Sequence, residues 1–172
     1  MLDNSPVWDL SDLYTDIDDK RIGSDISSCR KDSVLLQKQW EGKLDKATGA
    51  ELAEVISRYE MIIERLGRVQ SHAQLLFAAN TADANIAKHH QSMREAGAEI
   101  GAQLLFVELE IATFDDAHMN WAMETPNLAH WAPWIRRVRA MAPYQLSADM
   151  EKMLAEQGPT GRGAWVRLFD ET

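Results

Sequence analysis

Five histidines, His72, His89, His90, His118 and His130, are the side chains of this sequence best suited to hold a metal ion or move a proton near neutral pH. A zinc-hydrolase helix needs His-Glu-x-x-His, two imidazoles one turn apart with a carboxylate between them as base. The residues that follow the five histidines are Ala, His, Gln, Met and Trp, so none opens that motif. A di-iron bundle needs Glu-x-x-His on two helices, and no glutamate here has a histidine three positions on. His89 and His90 are adjacent, which on a helix points them about 100° apart, and they read as structural or surface residues.

Other chemistry fails on spacing. A calcium loop starting at Asp16 would need glycine where Arg21 stands and glutamate where Ser27 stands. GPTGRG, residues 158–163, lacks the Gly-Lys-Ser or Gly-Lys-Thr that completes a phosphate loop. Cys29 lies on an apolar helical seam with no histidine nearby in sequence, which suits an inert core thiol better than a nucleophile. No residue of the chain is therefore expected to be catalytic or to ligate a metal.

A local bias in charge is more informative. WAPWIRRVRAMAPYQ, residues 131–145, lies in a stretch from Thr125 to Ala148 without an acidic residue. Arg136, Arg137 and Arg139 accompany Trp131, Trp134 and Tyr144 there. The arginines are candidates for contacting substrate carboxylates or another domain. The competing interpretation, a solvated helix face whose tryptophans are core, is the preferred one.

The elements that would position these residues are helices. SPVWDLSDLYTDIDD reads as an extended lead-in over residues 5–19, anchored by Trp8, Leu10, Leu13 and Tyr14. Asp18 or Asp19 caps a first helix whose seam is Ile22, Ile26, Cys29, Ser33, Leu36 and Trp40, ended by Gly42. Thr48 and Glu51 form a capping box for a second, with Leu52, Val55, Tyr59, Ile62, Leu66, Val69, Ala73 and Leu76 on its seam. A third runs from Ile86 to Phe114 and absorbs VELEI at 107–111, although that pentapeptide alternates like a strand. Shorter helices follow, capped by Asp115 or Asp116 and by Ser147, and punctuated by Pro126, Pro133, Pro143 and Gly158-Pro159. The expected fold is all-α: an elongated antiparallel bundle of two or three long helices followed by several short ones, one domain over residues 1–172.

The net charge of −9 opposes attraction to phosphate backbones and anionic lipid, so nucleic acid and membrane are not expected partners. The longest apolar run, Leu104 to Val107, is far below the roughly 18 residues of a membrane span. With one cysteine and no recognisable leader, a soluble cytoplasmic protein is expected.

Four stretches, WDLSDLY at 8–14, RLGRVQSHAQLLFAANTAD at 65–83, QLLFVELEI at 103–111 and above all TGRGAWVRLFDET at 160–172, resemble the amino-terminal region of oligoendopeptidase F-type zinc peptidases, bacterial relatives of thimet oligopeptidase. The resemblance implies an almost wholly helical amino-terminal lobe that roofs a channel. Its implied partners are the catalytic lobe of the same polypeptide and short peptide substrates. Zinc is implied for the full-length parent, held by a His-Glu-x-x-His helix and a downstream glutamate, and for no residue of this chain. On this view residues 160–172 begin the passage into the catalytic lobe. Trp165, Leu168 and Phe169, which recur on one helix face ahead of Asp170 and Glu171, would meet that lobe. Alone, the chain would be inactive and could self-associate through the same face. The alternative is a stand-alone helical adaptor that binds a partner helix along an exposed seam.

Overall fold

A single carboxylate starts the first helix. In the computed structural model, which describes residues 8–170 apart from the side chains of Arg167 and Asp170, Asp19 accepts the Arg21 N–H at 2.9 Å and caps α1, Lys20–Trp40. The Arg21 guanidinium and then the Thr15 and Arg21 amides hold the Asp19 carboxyl far below the usual carboxylate range. The chain turns at Gly42, whose φ of 73° lies in the left-handed region that favours glycine. A 3-10 turn, Leu44–Lys46, leads to α2, Gly49–Ala79. The expected capping box is complete: Thr48 Oγ1 accepts the Glu51 N–H, and Glu51 accepts the Thr48 N–H at 2.8 Å. After a break at Asn80, Asp83 caps α3, Ala84–Thr113.

Side-chain pairs between these helices give their directions. Arg58 donates to Gln39 and Arg65 to Asp32, so α2 runs antiparallel to α1. Tyr59 donates to Glu108, and Gln74 meets His90, so α3 returns antiparallel to α2. Arg30 with Glu99 and Ser33 with Gln103 then place α3 parallel to α1. The predicted seams meet along this bundle: Ile22, Ile26, Cys29 and Leu36 of α1, Leu52, Val55, Ile62 and Leu66 of α2, and Ile100, Leu104, Val107 and Ile111 of α3 are buried together. Each fully buried aliphatic side chain contributes roughly 1.5–3 kcal/mol. VELEI is helical: Val107 and Ile111, four residues apart, face the core, while Glu108 and Glu110 leave it for polar partners.

Two details of the lead-in differ from expectation. Trp8 does not anchor it, being 82% exposed. The side chain seated against the helices is Tyr14, 1% exposed, which packs edge-on to His72 at 5.3 Å and donates to Asp25 at 2.8 Å. That site suits an aromatic whose polar tip finds a partner, and Tyr14 meets the condition. Burial pushes its hydroxyl up to about 12. The start of the predicted lead-in, residues 5–7, lies outside the described residues.

The shorter elements are α4, Asp116–Met123, a 3-10 stretch Pro126–Trp131, α5, Ala132–Met141, a 3-10 turn Ala142–Tyr144, α6, Ala148–Gln157, and α7, Arg162–Asp170. Asp115 caps α4 by accepting the His118 N–H at 3.2 Å. Ser147 occupies the N-cap position of α6, but its hydroxyl makes no capping bond; Glu151, within the first turn, accepts the Leu146 N–H at 2.9 Å instead. The fold is all-α, with no strand among the described residues. Among the same residues no helix is long and apolar enough to cross a membrane.

Candidate functional site

α5 turns Ile135 and Val138 into the core and carries the three arginines around its remaining circumference. Arg136 and Arg137 are exposed. Arg139 is not available in the same way. Its Nη1 donates to the Ile111 and Phe114 carbonyls at 3.2 and 2.7 Å, and its Nη2 pairs with Asp116. Those carbonyls close α3, where the helix leaves acceptors without partners and the dipole favours a cation. Arg139 therefore joins the end of α3 to α5 and to the first turn of α4.

The tryptophans of the same stretch pack on the bundle, as the preferred interpretation requires. Trp134 meets the Tyr59 ring at 5.7 Å, and Trp131 donates its indole N–H to Glu60 at 3.1 Å. Tyr144, 77% exposed, stands apart from them. Burial, with Glu108 beside it, raises the Tyr59 hydroxyl well above its ordinary value, which keeps the phenol protonated.

A different surface emerges beyond α5. α6 lies on α3 yet buries none of its residues, and Met150, Met153 and Leu154 remain about half exposed. A tight link joins it to α7: the Gly161 N–H reaches the Gln157 carbonyl at 2.7 Å, and the Gly163 N–H reaches the Gly158 carbonyl at 3.0 Å. A Cβ at position 163 would fall 2.6 Å from that Gly158 carbonyl and against the Arg94 guanidinium, so a side chain there collides with the link itself. α7 starts at Arg162. It carries Trp165 at 74%, Leu168 at 54% and Phe169 at 83% exposure, the i, i+3, i+4 set that normally faces a core. Val166 is half exposed beside them. The exposed apolar side chains of α6 and of α7 have the character of interaction residues.

The histidines are dispersed. His90 stacks on Phe77 and meets Gln74 at 2.9 Å. His72 is fully buried with both ring nitrogens lacking hydrogen-bond partners, and the Nε2 atoms of His89 and His118 are buried without partners. Cys29 is buried with Sγ 3.7 Å from the Ile62 carbonyl, and burial pushes its thiol up, which suits a core residue. Among the described residues no three or more His, Cys, Asp or Glu side chains gather as metal ligands would.

Residues 110–172 match the family model described as oligopeptidase F, in its amino-terminal region. Over these residues, about a third of the chain, the sequence is similar to an oligoendopeptidase F-type amino-terminal domain. The matched residues run from the last turn of α3 through α7, and so include the Arg139 junction and the exposed faces of α6 and α7. TGRGAWVRLFDET falls wholly within the match, while WDLSDLY and RLGRVQSHAQLLFAANTAD precede it. No curated protein and no solved structure matches the chain.

The Glu110 contact went unforeseen in the sequence. Its carboxylate accepts the Gly42 and Leu44 N–H groups at 2.7 and 3.1 Å, fixing the α1–α2 connection to α3. The available signal was a glutamate in an otherwise apolar run.

Proposed function

We propose that this domain is the substrate-access part of a zinc-dependent oligoendopeptidase that hydrolyses short, unfolded peptides, and that it does not catalyse by itself. The oligopeptidase F match over residues 110–172 carries the reading. The sequence given holds no His-Glu-x-x-His spacing, which supports placing zinc outside it. Zinc, its His-Glu-x-x-His helix and the hydrolytic step therefore belong, in this proposal, to a catalytic lobe of the same polypeptide.

What the present residues do is shape and positioning. The α1–α3 bundle supplies a stiff wall, Arg139 fixes α5 to it, and α6 with α7 presents Trp165, Leu168 and Phe169 to the catalytic lobe. A wall of this kind excludes folded proteins by size while admitting extended chains, and movement at the α6–α7 link would change access. In this reading Arg136 and Arg137, both exposed, would meet substrate carboxylates, with Arg139 supporting the face they stand on. A cytoplasmic setting belongs to the same proposal and suits the single, buried, free Cys29.

The coding sequence beyond Thr172 separates this reading from a stand-alone adaptor. Continuation to a His-Glu-x-x-His helix is the expected result. A natural stop codon directly after Thr172 would favour the adaptor, whose partner helix would then take the α7 face.

A further inference from the structure

An open cleft of about 830 Å³ lies between α3, the α1–α2 connection and the first turn of α6. Its size falls in the range that small ligands and peptide side chains occupy. The floor is apolar, formed by Leu105, Phe106, Leu109 and Phe114. The lining also includes five carboxylates, those of Glu41, Asp45, Glu110, Asp115 and Asp149, against a single amine, Lys152.

These carboxylates are not equivalent. Glu110 is committed to the Gly42 and Leu44 amides, and Asp115 to the cap of α4. Glu41, Asp45 and Asp149 are exposed and take part in no ion pair among the described residues, so they leave the rim of the cleft acidic beside its apolar lining. His118 lines the same cleft.

We propose that this cleft binds a peptide segment that combines an apolar side chain with a neighbouring lysine or arginine. The apolar side chain lies on the α3 floor, and the cation meets Asp45 and Asp149 at the rim. The charge argument selects this occupant: an acidic peptide would add to an unpaired negative rim, and a purely apolar one would leave the rim unmatched. This inference rests on the access-domain reading for its biological meaning, since it names basic, apolar peptides as the substrates admitted.

The test uses the 172-residue chain and fluorescein-labelled octapeptides, read by anisotropy at low and at physiological salt. One peptide alternates leucine with arginine, a second replaces each arginine by glutamate, and a third replaces each leucine by glycine. The first is expected to bind at least about tenfold more tightly than either of the others. Asp45→Lys combined with Asp149→Lys is expected to lower that affinity about tenfold or more. Ala148→Trp, which fills the cleft without changing charge, is expected to weaken it as well, and both variants should keep the far-ultraviolet circular dichroism of the parent. Equal binding of all three peptides, equal binding of the leucine and glycine peptides, absence of binding, or indifference to both folded variants would overturn the proposal. Because binding is read on this chain and the peptidase reading is decided by downstream sequence and hydrolysis, the two can fail separately.

Discussion

Arg139 directs its charge into the fold, and its neighbours do not. Its guanidinium, 20% exposed, holds two carbonyls at the end of α3 and the Asp116 carboxylate. Hydrogen bonds made by a charged group contribute about 1.5–3 kcal/mol, so Arg139→Ala is expected to cost about 2 kcal/mol in urea unfolding. Arg136→Ala and Arg137→Ala should stay within about 0.5 kcal/mol, as exposed substitutions usually do. Equal effects of the three would show that the junction is not where α5 is held.

His72 gives a pH dependence at the same scale. Burial pulls its pKa below the ordinary 6.5, while the Tyr14 backbone and then Asp19 and Asp16 pull it upward and Arg21 opposes them; the Tyr14 ring packs edge-on and His89 lies nearby with its own pKa lowered by burial. The unfolded chain then binds a proton that the folded chain does not. Stability is therefore complete above pH 6.5 and declines as the pH falls below it. His72→Phe should reduce that decline, leaving the part due to His89. Urea midpoints between about pH 7.5 and 5 would check it, and parallel curves for parent and variant would count against a neutral buried His72.

At the scale of elements, Gly49 is where α2 meets the end of α4. A Cβ there would lie 2.7 Å from the Ala122 carbonyl and 2.8 Å from the Thr125 Cβ, besides meeting the Thr125 hydroxyl. Gly49→Ala must part the two helices, and forced overpacking costs about 1–3 kcal/mol. A thermal midpoint unchanged by the substitution would mean that the contact relaxes freely. Much at this scale was legible from spacing and caps: the Thr48–Glu51 box and the four-and-three seams are local signals that need no knowledge of neighbours. Ser147 and Trp8 were misread because serine shares its capping role with a nearby glutamate, and because an indole reads as core whether or not a seat exists. The α7 face was legible as a periodic apolar set. Neither the Arg139 junction nor the Glu110 bridge was, since each joins residues far apart in sequence.

For the whole molecule, a stable bundle ends in an apolar face that its own core does not cover. Self-association through that face is a direct consequence to measure. Light scattering is expected to show an apparent mass that rises with concentration, and Trp165→Glu, at a 74% exposed position, should return it to the monomer without lowering the thermal midpoint. A constant monomer mass for the parent would argue against it.

The separation of access from chemistry is open to one assay: cleavage of a quenched fluorescent octapeptide by the pure 172-residue chain supplied with zinc, with a chelator control. No cleavage above buffer is expected, because the sequence holds no His-Glu-x-x-His and no three possible metal ligands gather among the described residues. Cleavage that the chelator abolishes and added zinc restores would contradict it.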